Sequence, residues 1–180
     1  MKKFVFLGSI IMLIASLSAH AEGYKGFLVG TGPVIEVYPK GDRVTYAGIA
    51  VRGDVRLPVS DMLGIWINIL YQHTWSTEIG DEFRSQTMRW GTDFSLEKLP
   101  LKPFVGAGFA TKLVTWGEEI DVGGFVFEEQ EFGGGPFFEI GARIPIASWF
   151  SLRPEVCMNW LVTGSTGFVY DFRVTANLTL

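Results

Sequence analysis

The chain closes on YDFRVTANLTL, residues 170–180, and these eleven residues hold the key to the fold. Tyr170, Phe172, Val174, Ala176, Leu178 and Leu180 occupy every second position, while Asp171, Arg173, Thr175, Asn177 and Thr179 fill the gaps. A period of two is the mark of a strand with one apolar and one polar face. Soluble and membrane strands share that pattern, so the rest of the chain must say which face is inside.

The N-terminus, MKKFVFLGSIIMLIASLSAHA, reads as a secretory signal peptide over residues 1–21. Lys2 and Lys3 form its basic region, Phe4 to Leu17 its apolar core, and Ala19-His20-Ala21 a small-x-small cleavage site. A retained anchor is the other reading, but the apolar core is short for a span of ~20 residues. The mature chain, 22–180, then forms one domain. Loss of Lys2 and Lys3 leaves 13 of the 15 basic residues against 19 acidic ones, net −6. That balance argues against a nucleic-acid partner, which needs a basic patch. With Cys157 as its only cysteine the chain cannot form an internal disulfide. Hydrophobic residues make up 48%, yet the best helical candidate, Met62 to Trp75, is short for a span and leaves the other alternating segments unexplained.

Eight strands are predicted, each near the ~9–11 residues that cross a bilayer when tilted. They run from Gly26 to Tyr38, Val44 to Leu57, Leu63 to Trp75 and Gln86 to Leu96. A fifth starts near Phe104, a sixth ends near Ile144, and the last two span Ser151 to Val162 and Phe168 to Leu180. Connections after the second, fourth and sixth are compact (PVSDM, EKLPLKP, PIASW), whereas those after the third and fifth are long and polar. Short turns at one end and longer loops at the other suit an outer-membrane barrel. One face collects Ile49, Val51, Ile67, Trp90, Val105, Phe109, Ile140 and Trp160. The other carries Glu36, Arg52, Asp54, Arg56, Arg89, Asp93, Lys112, Glu139, Arg143, Arg153, Glu155, Asp171 and Arg173, beside Gly30, Gly48, Gly64, Gly106 and Gly108. Small residues among long charged ones fit the interior of an eight-stranded barrel, which side chains just fill. The apolar face therefore meets lipid. Tyr38, Trp75, Trp116, Trp160 and Tyr170 are expected in one aromatic girdle, with Phe104 and Trp149 in the other.

The signal peptide, LKPFVGAGFATKL at 101–113, SLRPEVCMNW at 151–160 and the closing strand together resemble the small outer-membrane β-barrel family that includes the barrel domains of outer-membrane proteins A and X. The resemblance covers essentially the whole mature chain and implies an all-β, eight-stranded, antiparallel up-and-down transmembrane barrel. It also implies a bacterial outer membrane of lipid and lipopolysaccharide, and a last strand, Tyr170 to Leu180, read by the barrel-assembly machinery. Relatives usually end in an aromatic residue; here Leu180 stands in that place. The peptidoglycan-binding domain that follows the barrel in some relatives is not expected here.

The thirteen interior charges, seven basic and six acidic, are near balance. Buried charges must be paired, so they are expected to form a closed salt-bridge network filling the lumen. A narrow channel is the alternative. A lipid A-modifying enzyme is another, because His73, Ser76 and Glu78 lie near a strand end. His73 and Ser76 are three apart, however, and face opposite sides of a regular strand. No cluster has metal-ligand spacing, so no cofactor is expected. The fifth-to-sixth connection carries Glu118, Glu119, Asp121, Glu128, Glu129 and Glu131 with no base. It reads as a solvated loop, or as a surface site for a divalent cation or a protein partner. Gly123-Gly124 suits a two-residue turn, pairing Val122 with Phe125 and Ile120 with Phe127. Continued inward, that register pairs Phe109 with Phe138 and Val105 with Ala142, joining the hairpin to the barrel without a bulge. The function expected is non-enzymatic: envelope integrity or surface adhesion through the loops.

Overall fold

A computed structural model describes residues 26–38, 44–57, 59–76, 83–115, 120–122, 125–127, 130–162 and 166–180. The signal segment, Trp116, Glu118, Glu119, Gly123, Gly124, Glu128 and Glu129 lie outside them. The strands are β1 (Phe27–Tyr38), β2 (Val44–Leu57), β3 (Leu63–Trp75), β4 (Arg84–Leu96), β5 (Pro103–Thr115), β6 (Ile120–Val122), β7 (Phe125–Phe127), β8 (Gln130–Ala142), β9 (Ile144–Ala147), β10 (Phe150–Val162) and β11 (Thr166–Thr179). Apart from β6 and β7, all belong to one antiparallel sheet that closes where β11 pairs with both β1 and β10. β8 and β9 form a single wall, both pairing with β10, so the barrel has eight walls. Closure leaves the barrel sheet no free edge among the described residues, which is what hydrocarbon demands of a strand-built span.

Burial alternates along the walls, with Ile49, Ile67, Trp90, Phe94, Val105, Phe109, Ile140 and Phe172 exposed on the outer face. Of the five prolines within the wall strands, Pro33, Pro136 and Pro154 each break the ladder on one side, because a proline has no N–H to give. Pro33 pairs with Ile49 of β2, but the β1–β11 ladder skips from Thr31↔Ala176 to Val34↔Arg173. Pro136 faces Phe109, and the β8–β10 ladder skips from Phe137 to Gly134. Pro154 keeps Val174, and the wall opposite breaks between Gly141 and Ile144. The break releases Arg143 from the ladder, and its backbone N–H instead donates to Lys102 O at 3.1 Å.

Two expectations are corrected. The β6–β7 hairpin forms as read, with Val122↔Phe125 and Ile120↔Phe127. The barrel, however, pairs Phe109 with Pro136 and Val105 with Ile140, two residues away from the expected register. Four residues separate β5 from β6 but only two separate β7 from β8, which accounts for the offset. Because the shift is even, no side chain changes face. Tyr38 and Phe104 also leave the girdles: both are buried in the lumen, 0% and 3% exposed. Of the other expected girdle residues, Trp75, Trp149 and Trp160 are exposed on the outer face and Tyr170 is half-buried.

Candidate functional site

The lumen divides into three tiers. Its middle is a charge network built by alternate residues of seven walls. Arg52 donates to Asp54 at 2.7 Å and to Glu155 at 2.8 Å, and lies 3.6 Å from Asp93. Arg153 reaches Asp93 at 2.6 Å, Glu139 at 2.9 Å and Glu155 at 2.6 Å, with Asp54 at 3.8 Å. Arg173 meets Glu139 at 3.1 Å and Glu155 at 2.7 Å. Two further pairs, Arg89–Asp171 and Lys112–Glu36, join walls that stand opposite each other across the barrel. Neutral amides complete the carboxylates: Asn68 donates to Asp93, Gln72 to Glu36, and Asn159 to Asp171. Aromatic rings floor the cations, with Arg153 3.8 Å above Phe104 and Lys112 5.0 Å from Tyr38. Desolvated charges of this kind persist only when paired.

Above the network, toward the long connections, Tyr38, Tyr46, Phe83, Val114, Leu161 and Val169 form a buried apolar cap. Tyr46 stacks on Phe83 at 3.9 Å, and Tyr38 meets both edge-on. The Tyr38 hydroxyl donates to Glu36 at 2.6 Å, linking the cap to the charges.

The turn end is different. There a cavity of about 470 Å³ opens between Leu28, Arg56, Trp66, Glu97, Lys102, Arg143, Phe150, Ser151 and the C-terminal Leu180. The Trp66 indole donates to Ser95 and Glu97 at 3.1 and 3.0 Å, and the Ser95 hydroxyl to Glu97 at 2.5 Å. Lys102 bridges the other Glu97 oxygen at 3.1 Å. Burial alone would raise the Glu97 pKa, but these donors together outweigh it and hold the carboxyl at about 2. Gly64 makes the arrangement possible, since a Cβ there would lie 2.5 Å from Ser95 Oγ and 2.7 Å from Trp66 Nε1.

Of the thirteen charges expected in one network, eleven meet in the middle tier. Arg143 and Arg56 stand apart at the turn end; Arg56 donates to Ser60 O at 3.0 Å. No motif or spacing singled out Trp66, Ser95, Glu97, Lys102 or Ser151. Only the shared parity of Gly64, Trp66 and Asn68 marked Trp66 as inward. His73 lies partly exposed on the outer face, its ring 5.7 Å from Trp75. Glu78 is outside the described residues. Of the hairpin residues, Asp121, Phe125 and Phe127 lie on the paired ribbon and Glu131 on β8.

A closed, all-antiparallel barrel of eight walls with outward apolar side chains is the fold of the small outer-membrane barrels. Neisserial surface protein A superposes with a TM-score of 0.62 at 13% identity, over 88% of this chain and 100% of that one. Ail, the attachment invasion locus protein of Yersinia pestis, solved with the heparin analogue sucrose octasulfate, gives 0.62 at 9% identity over 87% and 99%. The N-terminal barrel domain of Pseudomonas aeruginosa OprF gives 0.55 at 10% identity over 86% and 98%. No family model and no curated relative matches the sequence.

Proposed function

We propose that this chain is an integral bacterial outer-membrane protein, exported by residues 1–21 and inserted through its last strand, Tyr170 to Leu180. In lipid and lipopolysaccharide it serves as a non-enzymatic scaffold that presents surface loops. The observation that carries this reading is the crowded interior: paired charges beneath an aromatic cap occupy the bore, which argues against solute passage and assigns function to the ends. The β6–β7 ribbon supplies a surface to bind with, because two short paired strands expose edges that another chain can extend. With six acids and no base between Glu118 and Glu131, its partner is a basic protein rather than a sulfated sugar such as the heparin analogue solved with Ail.

The test replaces residues 118–129 by a short Asn-Gly turn and compares attachment of cells displaying either form to a basic protein surface. Attachment should fall with the ribbon removed while the barrel still migrates as a folded species in an unheated gel. Undiminished attachment would reject the ribbon. A changed lipid A mass spectrum on expression would reject the non-enzymatic reading.

A further inference from the structure

The turn-end cavity carries a second inference, independent of the surface ribbon. In the middle tier the guanidinium groups are locked against carboxylates. Arg143 is not. Its side chain is buried, with 4% of the residue exposed, and its guanidinium carbon stands 3.7 Å over the centre of the Trp66 ring. Among the described residues its nearest acid, Glu97, is 3.8 Å away, and none of Nε, Nη1 or Nη2 has a hydrogen-bond partner. Two more orphaned groups line the same cavity: Arg56 Nε and Ser151 Oγ. Buried donors without acceptors are costly, and here they are gathered on one wall of a space large enough for a small molecule.

The surrounding chain holds this geometry in place. The ladder break opposite Pro154 frees Arg143, and its backbone N–H is anchored on Lys102 O. Lys102 itself sits at φ +40°, a left-handed conformation that a non-glycine residue adopts at a cost. Glu97, already served by Trp66, Ser95 and Lys102, has little left to offer Arg143. Arg56, Lys102 and Arg143 line the cavity with Glu97 as the one acidic side chain among them, a surplus of two positive charges.

We propose that the turn-end cavity is a binding site for a small oxyanion, a phosphate or a carboxylate, seated on Arg143 with Arg56 and Ser151 as further donors. A guanidinium pre-oriented on an aromatic face presents a planar fork suited to two acceptor oxygens. The aromatic cap closes the other end of the lumen, so the anion enters from the side of the short turns. Trp66, Phe150 and Leu28 would shelter an apolar portion attached to it.

The experiment titrates the ¹⁵N-labelled mature barrel, folded in detergent micelles, with sodium phosphate and separately with sodium acetate, against sodium chloride at matched ionic strength. Saturable shifts are expected at the Trp66 indole and Arg143 Nε–H resonances for an oxyanion and not for chloride. Arg143→Gln should weaken binding about tenfold or more, with the backbone spectrum elsewhere unchanged; Ser151→Ala should weaken it less. A second arm places the protein in nanodiscs with and without phosphatidylglycerol. Shifts already saturated in the anionic discs identify a lipid headgroup as the source, and a full response to added phosphate identifies a soluble anion. No saturable shift in micelles, the same response to chloride, or undiminished binding by Arg143→Gln would overturn the proposal.

Discussion

Consider Arg153→Met, a change that keeps the bulk of the side chain and removes its charge. Arg153 lies within 2.6–2.9 Å of Asp93, Glu139 and Glu155, and its residue is 0% exposed. The surrounding cluster sets Arg52, Arg153 and Arg173 against Asp54, Asp93, Glu139 and Glu155, three cations to four carboxylates. The substitution leaves two cations to four, with the carboxylates still shut away from water. Breaking a buried pair from one side costs about 3–5 kcal/mol, and that loss is expected here. Adding Glu139→Gln returns the cluster to an excess of one negative charge. The double variant should therefore recover part of the loss, with a coupling energy on the order of 1–3 kcal/mol. Urea unfolding of the wild type, both single variants and the double variant in phospholipid vesicles measures all four corners. A loss below about 1 kcal/mol for Arg153→Met, or strictly additive losses in the double variant, would refute a network held by this residue.

Glu97 supplies a pH prediction. Its folded pKa, about 2, lies below the ordinary carboxylate value, so its contribution is complete above about pH 4.5 and is lost as pH falls toward 2. Glu97→Gln should flatten the decline in melting temperature across that window, and an unchanged slope would contradict the bonds drawn to this carboxylate. Gly108→Val tests the crowding of the inner wall. A Cβ there would lie 2.6 Å from the Gly91 Cα and 2.7 Å from the Phe137 ring, so backbone must move. The expected cost is about 1–3 kcal/mol in urea unfolding, and an unchanged midpoint would mean the wall has slack.

The walls and their faces were legible because a period of two survives any uncertainty about strand ends. The same parity could have placed Tyr38 and Phe104 correctly. Tyr38 shares its face with Glu36, and Phe104 with Gly106 and Lys112, yet their positions near strand ends suggested the girdles. Register was harder. A shift of two residues between β5 and β8 leaves the inward and outward sets intact, so no pattern of hydrophobicity distinguishes Phe109↔Pro136 from Phe109↔Phe138. What decides it is the unequal number of residues flanking the β6–β7 ribbon. The interior charges were legible as a set, but their partners were not. Arg89 meets Asp171 only because closure sets β4 opposite β11. The turn-end cavity was the least visible feature. Trp66, Glu97, Lys102, Arg143 and Ser151 come from different strands and turns, and the stagger of a closed barrel brings them together.

The central claim is that the lumen is filled, and ion conductance tests it most directly. Mature protein reconstituted in a planar lipid bilayer should show no steady or stepwise current at physiological salt. The cap of Tyr38, Tyr46 and Phe83 and the ion pairs beneath it span the bore. Reproducible single-channel openings from the folded wild-type protein would contradict the account.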